Sequence, residues 1–137
     1  MAAISDYLEV KLQQLTFNGV AFTAPATYIA LFTAAPSDAG GGTEVSGGSY
    51  ARVLVNPTGG ASPTWDACTA TGGLITNTHA ITFAQATAAW GTVTHIGIFD
   101  ALTVGNLLWH GALTASKVVE DGSTFSIPVG DLDCTLA

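Results

Sequence analysis

Few residues of this chain could do chemistry, and their spacing decides how much. His79, His95 and His110 are spread about 15 residues apart, each on or near a stretch that reads as a strand. A metal site usually draws at least two ligands from one local motif, such as H-x-H or C-x-x-C, and neither motif is present. Three strands could still bring three imidazoles together in space, but ordinary half-buried strand histidines are the simpler reading. Asp131 and Asp133 fall on one face of a strand and could form a carboxylate pair or hold Ca²⁺. Calcium needs about six oxygens from a turning loop. Two side chains on a straight strand fit a solvated or subunit-facing edge better. The sequence therefore points to no catalytic residue, no metal site and no cofactor.

The glycine-rich stretch "DAGGGTEVSGGSYAR" (Asp38 to Arg52) could cradle a phosphate or turn the chain. A P-loop needs Lys and then Ser or Thr after its last glycine, whereas Gly48 is followed by Ser49-Tyr50-Ala51-Arg52. The dinucleotide spacing G-x-G-x-x-G fails as well, because Val45 stands where the third glycine would fall after Gly40 and Gly42. A surface turn or loop is the remaining reading. No G-x-S-x-G elbow occurs, and Gly47 to Ser49 has no strand-to-helix context. Trp65, Trp90 and Trp109 could stack on sugars, although a core or interface anchor is the commoner fate of tryptophan. "EDGS" (Glu120 to Ser123) has the composition of a hairpin turn centred on Asp121-Gly122.

The elements that must position these residues are short strands. Before them, Asp6 and Glu9 have the spacing of a reciprocal helix cap, Leu8, Leu12 and Leu15 recur on one stripe, and Asn18-Gly19 supplies a stop. From Gly19 onward the period becomes two. "ATYIALFT" is apolar on both faces and reads as a strand buried on both sides; "YARVLV", "ITFAQA", "GTVTHIGIFDA", "NLLWHGALT", "TFSIPV" and "DLDCTL" follow as further strands. In "DLDCTL", Leu132, Cys134 and Leu136 face one way. Residues 56–73 read as loop with one short strand around Trp65. The expected fold is all-β, a mainly antiparallel sandwich or barrel with one short N-terminal helix. Residues 1–137 make a single domain, with 1–19 as an N-terminal helical arm and 20–137 as the β-rich body. Leu8, Leu12 and Leu15 would either pack the arm against a partner or cover the body's own sheet.

Composition restricts the partners. Only 9% of residues are charged and 48% are hydrophobic, whereas soluble domains carry about 25% charged residues. Together with a mean hydropathy of +0.44, this points to a surface suited to burial against other proteins, hence to a homo-oligomer. Lys11, Arg52 and Lys117 stand against ten carboxylates for a net charge of -7. Three scattered cations cannot neutralise a phosphate backbone or an anionic bilayer, which argues against nucleic-acid and membrane partners. No apolar run reaches the roughly 18 residues that span a bilayer. The N-terminus carries no basic head or apolar signal core, so folding in a cytoplasm is expected. That environment favours free thiols at Cys68 and Cys134, with a bond between subunits as the second choice and an intrachain bond as the third.

Two segments carry a resemblance. "YIALFTAAPSDAGGGTEVSGGSYAR" and "ITFAQATAAWGTVTHIGIFDALTVGNLLWHGALT" are similar to a family of small tailed-bacteriophage virion proteins, described variously as tail, tail-fibre-like or head-decoration proteins. The pairing of "EVSGGSYAR" with "WGTVTHIGIFDA" is its most specific part, and residues 56–71 depart from the pattern. The resemblance implies a non-enzymatic structural role in the virion, assembled in the host cytoplasm. A compact domain without coiled-coil heptads or collagen-like repeats lacks a fibre's shaft. The expectation is therefore a capsid cement or decoration subunit bound to the major capsid protein, with a tail or tail-fibre protein as the alternative. Decoration proteins of this kind imply a trimer. Two other classes remain: a carbohydrate-binding adhesin using Trp65 and Asp66, and a hydrolase using His95 or His110.

Overall fold

The computed structural model describes residues 3–68 and 72–136. Its elements in chain order are β1 (Ala3–Ile4), α1 (Asp6–Phe17), β2 (Thr27–Ala34), β3 (Thr43–Glu44), β4 (Val53–Val55), β5 (Ile81–Thr82), β6 (Gly91–Phe99), β7 (Leu107–Val119) and β8 (Ser126–Ile127). The fold is all-β with one N-terminal helix, as the alternation of β-formers predicts. A six-stranded antiparallel sheet runs in the order β1-β7-β6-β2-β3, with β4 also on β2, and β5 pairs with β8 as a separate ribbon. The main sheet is open, with different strands at its two edges, so the layers form a sandwich-like body rather than a closed barrel.

β2 is central because nearly everything on it is apolar. Ile29 and Leu31 enter the main core with Val55, Val93, Ile96, Ile98 and Leu108. The second layer supplies Ile81, Phe83, Trp90, Phe125 and Ile127 to the same core. Burying each such side chain is worth about 1.5–3 kcal/mol. The opposite face carries Ala30 and Phe32, also buried. There Phe32 and Phe99 stack with centroids 6.2 Å apart. Gly97 lies between them: a Cβ on it would come within 2.9 Å of Phe32 and 3.0 Å of Phe99. That glycine is required by space, not by backbone conformation.

Several elements differ from the sequence reading. The helix cap is Ser5, one residue earlier than the Asp6–Glu9 spacing predicts; its side chain accepts from the Leu8 amide. Tertiary contacts decide this, since the Ser5 amide donates to the Leu108 carbonyl at 2.9 Å and its hydroxyl donates to the Leu107 carbonyl. The stop at Asn18-Gly19 is where it was expected, with Gly19 at φ +66°. "YARVLV" pairs only over Val53–Val55, because Tyr50 closes a turn on Gly47. "DLDCTL" makes a single antiparallel bridge, Cys134 to Ile75, instead of a strand. Leu132 and Cys134 are buried as the alternation requires, whereas Leu136 is exposed. β7 is longer than expected and bulges: between Val93↔Lys117 and His95↔Ala112, β6 advances two residues and β7 five.

Candidate functional site

The glycine stretch and β6 build one polar assembly on the sheet. Arg52 is buried and donates from Nε to Glu44 Oε1 and from Nη2 to Glu44 Oε2, both at 2.8 Å. Its Nη1 donates to the carbonyls of Ala101 and Val104, each at 2.8 Å. The guanidinium lies 3.7 Å from the Phe99 ring centroid. Tyr50 donates to Glu44 Oε1 at 2.9 Å and accepts from the Leu31 amide, also at 2.9 Å. Burial first, then the Glu44 carboxylate, hold the Tyr50 phenol far above its ordinary range, so it stays a donor. An always-charged fork with a ring behind it and carbonyls in front is a clamp joining β3, the 47–52 turn and the loop after β6.

The turn itself is set by three consecutive residues with positive φ, Gly47, Gly48 and Ser49. Gly48 has φ +56°, and a Cβ there would come within 2.8 Å of the Ala88 carbonyl and 2.9 Å of Trp90 Nε1. That close approach lets Trp90 Nε1 donate to the Gly48 carbonyl at 3.0 Å. The two segments that carry the family resemblance therefore touch beyond their β2–β6 pairing, Gly48 on Trp90 and Arg52 on Phe99 and Ala101. A cleft of about 630 Å³ beside the clamp is lined by Asp6, Asp38, Glu44, Arg52 and Asn106 among others.

A second feature is an apolar groove of about 500 Å³. Leu8, Leu12, Trp65, Trp109, Cys68 and Cys134 all line it, so the two candidate thiols and two of the candidate helix leucines share one surface. Both thiols are free; Cys68 is exposed and Cys134 buried. Burial, then the neighbouring Asp133 charge, push the Cys134 thiol up to about 12. Leu8 is 3% exposed and belongs to the protein's own core, Leu12 packs at its border, and Leu15 is 47% exposed. Of the two roles open to the stripe, covering its own body is the one Leu8 performs.

The remaining candidates are held within the fold. His110 Nε2 meets Asp38 Oδ1 at 2.8 Å, His79 contacts Ser62 and Thr78, and His95 contacts Thr94. Among the described residues, no three His, Cys, Asp or Glu side chains form a group able to hold a metal ion. Asp131 and Asp133 are exposed. Trp65 Nε1 donates to Thr27 Oγ1 at 2.8 Å, and Asp66 Oδ1 accepts from the Thr76 amide at 3.0 Å, so the polar atoms a sugar would need are engaged internally. Among the described residues, no helix is long and apolar enough to cross a membrane. Asn77, which the sequence reading passed over, is 1% exposed and donates to the carbonyls of His79 and Pro128 while accepting from the Leu132 amide.

With this geometry in view, the comparison with protein families is decisive. A family model described as podophage GP4 fiber I protein gp80 matches residues 3–135. The chain belongs to this family of phage tail-fibre proteins. The match takes in residues 56–71, the stretch that departs from the resemblance, as well as the two resembling segments. No curated protein matches the chain. In this fibre family the head-decoration expectation loses its preference to the tail-fibre alternative.

Proposed function

We propose that this protein is a non-enzymatic structural subunit of the tail-fibre apparatus of a podophage, acting through packing against copies of itself and neighbouring tail proteins. The observation that carries this reading is the fibre-family match over residues 3–135. The chemistry of the chain supports it. The ion pair of buried Arg52 with Glu44 is consumed in bracing loops against the sheet, and the three histidines are bonded to side chains within the fold. Such a body suits a module whose work is mechanical. The described residues form a compact β-rich body, which fits a block within or beside the fibre.

Immunogold labelling of intact particles tests the location. Label on the fibres or their attachment point is the expected result. Label distributed over the head overturns the fibre reading in favour of a capsid cement subunit.

A further inference from the structure

The chain has asparagine at positions 18, 56, 77 and 106, and the four differ in how easily the next residue's nitrogen can reach the side-chain carbonyl carbon. Asn56 is followed by Pro57, whose nitrogen carries no hydrogen to give up. Asn77 is buried with its side chain fully engaged, and the Thr78 amide after it donates to the Thr64 carbonyl at 2.9 Å. Asn106 donates from Nδ2 to Asp100 Oδ2 at 2.8 Å and precedes Leu107, a buried residue of β7 paired with Phe99. Asn18 escapes all these restraints. It is exposed, as is Gly19 after it, and among the described residues nothing bonds its side-chain amide.

Gly19 leaves its nitrogen open to reaction. With φ at +66° it has no atom within 4 Å of the position a Cβ would take, so nothing crowds the approach. The Asn18 and Val20 amides both donate to the Gln14 carbonyl at 3.1 Å, whereas the Gly19 amide between them donates to no backbone carbonyl among the described residues. The acidic counterpart, Asp121-Gly122, shows the contrast: there the glycine amide is held by the Ala86 carbonyl at 2.7 Å. Asn18 lies at ψ -2°, and rotation about that bond swings the Gly19 nitrogen toward Asn18 Cγ. The rotation breaks the Val20 to Gln14 bond, which closes an exposed last turn. Helix ends of this kind open at little cost. Attack within one chain then requires no second molecule to be brought into place.

We propose that Asn18-Gly19 is a site of spontaneous deamidation, through which α1 gains a carboxylate at its C-terminal end. The Gly19 nitrogen bonds to Asn18 Cγ, the Cγ–Nδ2 bond breaks, and Nδ2 leaves as ammonia with the Gly19 amide proton. A succinimide ring remains, and water opens it at either carbonyl. Opening at the former side-chain carbonyl gives aspartate; opening at the main-chain carbonyl gives isoaspartate, whose backbone is one carbon longer. Water enters, ammonia leaves and nothing is oxidised. Either product puts negative charge where the helix dipole is already negative, and the last turn holds no basic residue to offset it. The longer backbone of isoaspartate also carries the Val20 amide away from Gln14. Both changes loosen the last turn of α1.

Trypsin cuts after Lys11 and Arg52, so Asn18 is the single asparagine of the Leu12–Arg52 peptide, while Asn56, Asn77 and Asn106 share the Val53–Lys117 peptide. The test is to incubate the folded full chain at mildly alkaline pH beside a urea-unfolded sample and follow both peptides by mass spectrometry. The expected result is conversion of asparagine to the acid in the folded chain, confined to Leu12–Arg52, with labelling of that peptide by a protein isoaspartyl methyltransferase. Both signals should be lost in Asn18→Gln, whose longer side chain cannot close the same ring. Asn18 is exposed, so this variant keeps its fold, and an unchanged thermal midpoint checks that. A folded chain that stays unconverted, whether or not the unfolded sample converts, overturns the site. Conversion of the Val53–Lys117 peptide in the folded chain, or conversion that persists in Leu12–Arg52 of Asn18→Gln, overturns it as well.

Discussion

Arg52 and Glu44 meet in a two-pronged ion pair across the 47–52 turn, with both contacts at 2.8 Å and the arginine side chain 6% exposed. Lysine can keep the charge of Arg52 but cannot serve the carboxylate fork, two carbonyls and the Phe99 face together. Arg52→Lys is expected to lower stability by about 2–4 kcal/mol, and Arg52→Ala by about 3–5, since the latter leaves Glu44 without its partner. Urea denaturation of both variants measures this. A loss below 1 kcal/mol for the lysine variant would show that the fork adds little beyond charge.

The Phe32–Phe99 stack depends on Gly97 having no side chain. Gly97→Ala would place a methyl within 3.1 Å of Phe32, Phe99 and Leu107, an overpacking expected to cost about 1–3 kcal/mol. Gly72, which has open space around the position of a Cβ, provides the contrast. Its φ of +94° still penalises alanine, but through the backbone alone. A crystal structure of the Gly97 variant with the stack undisturbed would remove the steric account.

The sheet was largely legible in the sequence because β2 and β6 bury long apolar stretches whose period leaves little choice. The glycine stretch was legible as a turn, since positive φ at Gly47 and Gly48 is what glycine supplies cheaply. Three things were hidden for a common reason: they depend on contacts far along the chain. Ser5 becomes the helix cap through carbonyls more than a hundred residues away. Asn77 draws the His79 and Pro128 carbonyls and the Leu132 amide together, and one asparagine among loop residues announces nothing. The Arg52 clamp left a faint trace, a Glu and an Arg flanking a Gly-Gly turn in a chain with few charges.

Asn77 yields a prediction of its own. Asn77→Ala removes three side-chain hydrogen bonds from a buried site, at about 1 kcal/mol each, so a loss of about 3 kcal/mol is expected. The lost bonds loosen the 128–134 segment first. Amide exchange at Leu132, whose N–H bonds to the Asn77 side chain at 3.0 Å, should accelerate more than exchange at Ile98 in the central sheet. Equal acceleration at both sites would mean that the variant opens only by global unfolding.

Leu8 and Leu15 separate the two roles of the helix stripe. Leu8→Ala empties a core position that is 3% exposed and is expected to cost about 2–4 kcal/mol. Leu15→Ala, at a site 47% exposed, should change stability by roughly 0.5 kcal/mol or less. Thermal melts of the two variants compare them directly. Similar small effects at both positions would mean that α1 contributes little to the body and is free to act as an arm.

The two thiols should differ in reactivity and in their effect on alkaline stability. Cys68 is exposed and Cys134 buried, so a thiol reagent at pH 8 should modify one cysteine rapidly and the second only as the protein unfolds. The Cys134 thiol is raised from 9.0 to about 12 in the folded protein, through burial and then the nearby Asp133 charge. An unfolded chain therefore loses this proton at lower pH than the native chain does. Between about pH 9 and 12 the native state binds more protons, and stability falls as pH rises, by up to about 1.4 kcal/mol per pH unit from this group. Below pH 9 the contribution is fully present. Cys134→Ala should flatten that part of the alkaline profile relative to wild type while lowering stability at neutral pH through the cavity it leaves. Urea midpoints of the two proteins from pH 7 to 11 measure both effects, and parallel profiles above pH 9 would remove the thiol as their cause.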